Sequence, residues 1–232
     1  MKVLGIAIGI FITILVTAFY AVFKNELPEE ETGGDKPKSF TFFDVGANTR
    51  LTESLRETLR ARLGSDAIET WTTINLEILH KGFIKKYLPE INDLNSRLNG
   101  DAGQRIEHNT IKLRYRYIPR ENYPFDYVEL LFSGYSQKPL YCKIRAEEEG
   151  RDIVDVLEKK YGKPGRINGE DKKQFSLIWR YKGDLLVYAN TPDRFGNPAY
   201  RIIIYYVDNI REMLQRENKK EKGADEDLNK AF

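Results

Sequence analysis

An uncharged apolar run near the amino terminus constrains the fold of this chain more than any other feature. Residues 3–23 contain no charged side chain and lie between Lys2 and Lys24. At about 1.5 Å rise per residue, a helix of this length spans the roughly 30 Å hydrocarbon core of a bilayer. The run therefore predicts a transmembrane signal anchor over residues 1–24, which ties the rest of the chain to a membrane through residues 3–23.

Two other interpretations of this run fit its length and composition less well. A cleaved signal peptide usually has an apolar stretch of about 7–15 residues, and this run continues through Tyr20 and Phe23, beyond the candidate cleavage site at 16–18. A buried helix of a globular domain is a poor alternative, because no other helix predicted in the chain is apolar on every side. An uncleaved anchor is the preferred interpretation.

The charges beside the anchor do not decide its orientation. Lys2 precedes the run, whereas Lys24, Lys36 and Lys38 follow it. A short amino terminus usually stays inside while a large following domain crosses the membrane. We therefore predict a single-pass protein of the cell membrane with its body in the periplasm or outside the cell, and a cytoplasm-facing adaptor is the alternative.

Small side chains recur at every fourth residue within the run, at Gly5, Gly9 and Thr13 and again at residues 17 and 21. Such residues let a second helix approach closely and form an oligomer through the membrane. Because this row slants across the helix surface, only about three of its members could face one partner. Gly5, Gly9 and Thr13 are the candidate helix-pairing face. Alternatively, Gly and Thr are simply frequent in membrane helices.

The composition divides the rest of the chain into four segments. Residues 25–39 combine prolines, glycines and mixed charge with almost no apolar side chains, which predicts a flexible spacer. Residues 40–100 predict a helix-rich α+β segment, and residues 104–218 predict an antiparallel α+β domain. Residues 219–232 are charged and poor in apolar side chains, which predicts a disordered tail.

Periodicity places helices and a strand within the first of the folded segments. Leucines at four-residue spacing predict a helix over 49–63, capped by Asn48 or Thr49 and stopped by Gly64. Residues 67–74 predict a strand, a helical region follows to residue 86, and a better-defined helix begins at Pro89.

The second folded segment predicts a mostly antiparallel sheet with packed helices. Two helices are expected, at 147–161 and from 209 to about 216, and Gly183-Asp184 predicts a two-residue hairpin loop. The fold class is therefore α+β, and its architecture resembles small α+β modules of exported bacterial proteins. Strands rich in Tyr, Ile, Leu and Val are predicted at 111–118, 126–132, 140–146, 174–182, 185–190 and 199–207.

Charge and cysteine content exclude several classes of protein. Lys and Arg number 37 against 35 Asp and Glu, and a net charge of +2 argues against nucleic acid as the main partner. Cys142 is the single cysteine, so the chain can form neither an internal disulfide nor a cysteine-based metal cluster. Its position in a predicted strand favours a small buried side chain over a nucleophile.

Catalytic signatures are missing from the sequence. His80 and His108 are the only histidines, neither lies in a recognised motif, and no nucleophile elbow, phosphate-binding loop or H-E-x-x-H is present. We predict no catalytic residue, no metal ligand and no cofactor. The enzymatic alternative is an anchored hydrolase that uses scattered carboxylates at Asp152, Asp155 or Asp193.

Two features predict binding surfaces. Lys112, Arg114 and Arg116 alternate with apolar side chains, so one face of that strand is a cationic row that could hold a lipid headgroup, an acidic glycan or an acidic protein. The alternative is the solvated outer face of a sheet. Arg194 and Phe195 lie at the centre of the long connection 190–198, and such loops often carry recognition. The sequence thus predicts a membrane-anchored, non-catalytic binding or scaffolding protein whose partner is a protein or another envelope component.

Overall fold

The computed structural model describes residues 39–100, 106–118, 123–146, 151–169, 174–192 and 198–231. The predicted anchor with its Gly5, Gly9 and Thr13 face, the spacer up to residue 38, and the loop residues Arg194 and Phe195 lie outside this set. Within it, no helix is both long and apolar enough to cross a membrane. The described residues belong to one compact unit.

Eight strands and five helices make up the described part of this unit. In chain order they are α1 (Glu53–Leu63), β1 (Asp66–Trp71), α2 (Phe83–Tyr87), α3 (Pro89–Asn99), β2 (Thr110–Tyr115), β3 (Phe125–Ser133), β4 (Pro139–Ala146), α4 (Arg151–Tyr161), β5 (Gly165–Asn168), β6 (Phe175–Tyr181), β7 (Asp184–Pro192), β8 (Pro198–Tyr205) and α5 (Val207–Ala231).

All eight strands form one antiparallel sheet in the order β1-β2-β3-β4-β8-β7-β6-β5. The α+β class with a mostly antiparallel sheet is therefore confirmed. The sheet consists of two four-stranded meanders, β1 to β4 and β5 to β8, which join where β4 pairs with β8. Because β1 pairs with β2, the predicted segments 40–100 and 104–218 share this sheet.

Helices cover both faces of the sheet, so the sheet is the middle of three layers. The α1 and α4 helices pack on one face, and α2, α3 and α5 pack on the other. In β8, Ile202 and Ile204 are buried on the α1 side and Ile203 is buried on the α5 side. The central strands β7 and β8 are therefore apolar on both faces along most of their length, which explains their continuous apolar runs in the sequence. Cys142 is buried in the core on the α1 side.

The first helix begins later than the predicted residue 49. Thr52 caps it, with its side-chain oxygen accepting a hydrogen bond from the Leu55 amide at 3.1 Å. Thr49 was the wrong cap, because its hydroxyl accepts from the Gly46 amide and donates to the Asp44 carbonyl in the preceding turn. The predicted stop at Gly64 is confirmed.

The region after β1 departs furthest from the prediction. The strand ends at Trp71 instead of residue 74, and the helix predicted up to residue 86 is reduced to the five residues of α2. Tertiary hydrogen bonds explain this difference. The backbone amide of Leu76 donates to the side chain of Asn95 in α3, and the backbone carbonyl of Leu76 accepts from the hydroxyl of Tyr205 in β8. The helix that begins at Pro89 is confirmed.

The six strands predicted in the second segment are all present, and their ends differ by no more than three residues. The hairpin loop between β6 and β7 is Lys182-Gly183, not Gly183-Asp184, since Tyr181 pairs with Asp184. Both loop residues have positive φ, 47° and 89°, as a type I′ turn requires. Strand β5 was not predicted, because its four residues include only one large apolar side chain, Ile167.

The last helix extends well beyond its predicted end. It starts at Val207, whose amide donates to the buried carboxylate of Asp184 at 3.0 Å; burial raises the pKa of that carboxyl to about 6. It continues to Ala231, through the part of 219–232 for which we predicted disorder. Low apolar content argues against a packed segment, but it does not oppose a helix rich in Lys, Glu and Ala, which have high intrinsic helix propensity.

His108, just before β2, links α3 to α5. Its ring is buried, with Nε2 2.7 Å from the carbonyl oxygen of Leu98 in α3 and Nδ1 2.8 Å from the carboxylate of Glu217 in α5. Burial lowers the pKa of the imidazole, but the two hydrogen bonds outweigh burial and hold the pKa above its ordinary value of 6.5. The protonated ring can donate to both acceptors.

This contact predicts a pH-dependent stability. Because the folded-state pKa is raised, the stabilisation by His108 is complete below about pH 6.5 and is lost as the pH rises through the folded-state pKa. We expect His108→Gln to lower the free energy of unfolding by about 2 kcal/mol at pH 6 and by less at pH 9, measured by urea denaturation. His80→Gln, at the exposed histidine, is the control; equal losses for His108→Gln at both pH values would contradict the prediction.

Candidate functional site

Charged side chains collect on the α5 side of the sheet, in its first meander and the adjoining strand β8. Arg114, Glu129 and Lys143 lie directly beside one another across β2, β3 and β4. Arg145 of β4 likewise lies beside Arg201 of β8. We call this surface the basic face. Its described side chains are six cations, Lys112, Arg114, Arg116, Lys143, Arg145 and Arg201, and three carboxylates, Glu69, Asp126 and Glu129.

The side chain of Lys112 points to the basic face but is buried. Only 6 % of the residue is exposed, and its ammonium nitrogen is 3.4 Å from the centroid of the Trp71 ring. Burial lowers the pKa of the ammonium; the charge of Glu129 opposes that shift, and the charge of Lys143 adds to it. This lysine is therefore a packed cation, held by an aromatic ring and a neighbouring carboxylate.

Glu129 is the buried anion of the basic face. Its carboxylate accepts hydrogen bonds from the hydroxyls of Tyr127 at 2.6 Å and Tyr141 at 2.7 Å. Burial by itself raises the pKa of this carboxyl, but the two hydroxyls and the cations Lys112 and Lys143 outweigh burial and hold the pKa below its ordinary value. Glu129 is thus ionised at neutral pH.

The remaining cations of the predicted row differ in their surroundings. Arg114 forms an ion pair with Glu69 of β1, and Arg116 is exposed beyond the end of β2. The structure therefore places Lys112, Arg114 and Arg116 on one face, as the alternation predicts, but it buries the first and pairs the second. Arg145 makes two 2.7 Å hydrogen bonds to Asp126.

A cleft lies on the same side of the sheet as the basic face. One row of neighbouring residues runs from Arg145 and Arg201 through Ala189 to Ser176 and Ile167. The last two residues line a cleft of about 820 Å³, which we call the lysine cleft. Its described lining consists of His80, Lys81, Gly82, Phe83, Lys86, Tyr87, Ile167, Asn168, Gly169, Gln174, Phe175, Ser176 and Asn190.

Three chemical types share the lysine cleft. Cationic nitrogen comes from Lys81 and Lys86, and the ammonium of Lys86 is 4.9 Å from the centroid of the Tyr87 ring. Side-chain amides and a hydroxyl come from β5, β6, β7 and the turn after β5, and aromatic rings come from α2 and β6. None of the described lining residues is acidic. The cleft can therefore hold a ligand that bears negative charge and many hydroxyl groups.

A second cleft of about 490 Å³ lies on the other face, between α4 and the strands β5 to β8. We call it the α4 cleft. Its lining includes Asp155 and Glu158 of α4, with Lys163 and Arg166 among the remaining residues. Asp155 is one of the three carboxylates of the hydrolase alternative, whereas the side chain of Asp152 and the whole of Asp193 lie outside the described part of the chain. No group of three or more potential metal ligands is present among the described residues.

Sequence reasoning missed most residues of the lysine cleft and part of the basic face. Lys143 and Arg145 alternate with apolar residues in β4, so the period that revealed Lys112 and Arg114 could have revealed them too. Lys81 and Lys86 carried no comparable signal, because single lysines beside aromatic residues are common on protein surfaces. The cleft that they line is completed by β5, a strand far along the chain.

The fold and these surfaces define a three-layer α+β protein with a basic face and a cleft on one side of its sheet. Comparison with protein-family models, curated proteins and solved structures found no match to this chain. The function therefore has to be inferred from the chemistry of these surfaces.

The buried charges of the basic face generate a stability prediction. Glu129→Gln removes the buried carboxylate whose charge favours the Lys112 ammonium, so we expect a loss of about 3 kcal/mol in the free energy of unfolding at pH 7. The double variant Lys112→Met/Glu129→Gln should recover most of that loss, because neither buried charge remains. Glu57→Gln, at an exposed glutamate of α1, is the control and should be neutral.

The same carboxyl has a pH signature in urea denaturation. Because its folded-state pKa is lowered, its stabilisation is present above about pH 4.5 and is lost as the pH falls through the folded-state pKa. The wild type should therefore lose stability in acid more steeply than Glu129→Gln. Parallel acid profiles would contradict the assignment of Glu129 as a buried ionised group.

Proposed function

We propose that this protein is a membrane-tethered, non-catalytic binding module that holds an acidic oligosaccharide of the cell envelope in the lysine cleft. The lining of that cleft supports the proposal, since it combines two lysines, several amides and aromatic rings without an acidic residue among those described. Each of these groups matches one part of a sugar that carries carboxylates.

Sugar hydroxyls both donate and accept hydrogen bonds, as do the side-chain amides of Asn168 and Gln174. The C–H face of a sugar ring is apolar and packs on an aromatic ring such as Tyr87 through dispersion. A sugar carboxylate pairs with the ammonium groups of Lys81 and Lys86 through charge-assisted hydrogen bonds. An acidic oligosaccharide therefore uses every chemical type in the cleft.

The size and position of the cleft agree with this ligand class. A volume of about 820 Å³ lies within the range of about 300–1,000 Å³ usual for small-molecule sites. Arg201 and Arg145 of the basic face lie in the same pairing row as Ser176 and Ile167 of the cleft, and the fully buried Ala189 lies between them.

The predicted anchor and spacer complete the proposal. Residues 25–39 have the composition of a flexible linker, and a flexible linker of this length has a root-mean-square end-to-end distance of about 20 Å. It would let the body search the space next to the membrane for a ligand of the envelope. This requires the body to lie outside the cytoplasm.

Binding is tested by isothermal titration calorimetry on the full chain in detergent micelles, with a hexamer of galacturonic acid as the acidic probe and maltohexaose as the neutral one. We expect the acidic probe to bind and Lys81→Gln/Lys86→Gln to weaken binding about tenfold, since two exposed ion pairs are worth about 1–2 kcal/mol together. Lys163→Gln, in the α4 cleft, is the matched control. Equal binding of both sugars, or an unchanged affinity of the double variant, would contradict the proposal.

Orientation is tested separately with two reporters fused to the carboxyl terminus, one active only outside the cytoplasm and one only inside. We expect activity from the outside reporter alone, because the short amino terminus is predicted to stay inside. Activity of the inside reporter would instead support the cytoplasm-facing adaptor and would remove an envelope sugar as the ligand.

A further inference from the structure

The strand β1 forms one edge of the sheet and lacks the usual protection of an edge. It pairs with β2, and no other strand among the described residues pairs with it. Natural edge strands avoid association through lysine, proline or a bulge. Residues Asp66–Trp71 include neither lysine nor proline, and their pairing with β2 continues without a break. The edge is therefore open to another strand.

Both acidic residues of β1 are neutralised within their own chain. The side chain of Asp66 is only 3 % exposed and accepts hydrogen bonds from Arg56 at 2.6 Å and Arg60 at 2.7 Å, both in α1. Glu69 forms an ion pair with Arg114 of β2. Because each carboxylate has a cationic partner in its own chain, the edge carries little net negative charge towards an approaching strand.

The same edge exposes two large apolar side chains. Ile68 is 47 % exposed and Trp71 is 37 % exposed. Ile68 lies near the middle of β1, on the face that also carries Asp66 and Thr70. An apolar residue at the centre of an unprotected edge gains burial when a second strand is added.

We propose that two copies of this chain associate through antiparallel pairing of β1 with β1 of the second copy, with Ile68 at the two-fold axis. When the two-fold axis is perpendicular to the sheet, each residue lies opposite a residue of the second copy whose side chain points to the same face. Only two registers then pair five residues of each strand. One register places Ile68 opposite its own copy. The other places Glu69 opposite its own copy, and like charges directly opposite each other are destabilising.

Charge complementarity supports a second copy over an unrelated strand. In the Ile68-centred register, Glu69 lies opposite Ala67 of the second copy, and Ala67 lies beside Arg114 in β2 of that copy. The row across the junction then consists of Lys112 and Glu69 from one copy, followed by Ala67 and Arg114 from the other. The small alanine leaves room between the acid and the second copy's guanidinium.

Cysteine cross-linking of the full chain in detergent micelles tests this register. In the proposed dimer the two substituted positions of Ile68→Cys have Cα atoms about 4.5–5.5 Å apart, which is within the range of a disulfide. Thr70→Cys is the matched control, because it is exposed on the same face but its two positions are about 13 Å apart. We expect Ile68→Cys to form a covalent dimer at least tenfold faster than Thr70→Cys. The native Cys142 is buried and common to both variants.

Light scattering of the same preparations gives an independent readout. Ile68→Lys places two like charges at the axis and should shift the wild-type dimer to a monomer, whereas Ile68→Val should remain a dimer. A monomeric wild type, equal cross-linking at both positions, or a dimer that persists in Ile68→Lys would each overturn the proposal. The last result would assign association to another surface, such as the anchor.

Discussion

The pairing of β4 with β8 is the contact on which the rest of this structure depends. It joins two meanders into one sheet and brings Cys142 and Ile144 beside Ile204 and Ile202 at the centre of the core. Strands at this position need apolar side chains on both faces, because helices pack on each side. The charged residues of these two strands, Lys143, Arg145 and Arg201, all lie on the α5 side of the sheet.

This constraint explains why the basic face and the lysine cleft lie where they do. Charges on β2, β3 and β4 are tolerated because each buried charge has a partner, as Lys112 has in Trp71 and Glu129. Around the cleft, β5 has only four residues and most of its side chains are exposed beside the segment that contains Lys81 and Lys86. The polar lining of the lysine cleft therefore lies near the β5 edge of the sheet.

The two proposals use opposite edges of the same sheet. Self-association through β1 would place the lysine clefts, which adjoin β5, at the two far ends of a continuous sheet. Two clefts on one assembly can bind two parts of a long acidic chain, and the second contact then benefits from a raised effective concentration. Association and ligand binding would reinforce each other without sharing a residue.

The local sequence pattern was sufficient to predict the strands of the second segment, the helix from Pro89 and the placement of Lys112 and Arg114 on one face of their strand. These features depend on side-chain periodicity and on turn residues, which act over a few positions of the chain. Distant contacts decided the rest. The carbonyl of Leu76 bonds to Tyr205, and the helix predicted there does not form; the lysine cleft is assembled from residues 80–87 and strands that start at Gly165. Burial of Lys112 likewise depends on Trp71, which a different strand supplies. These contact partners lie far apart in the chain and come together only when the sheet and its core form. The local side-chain pattern therefore cannot predict them.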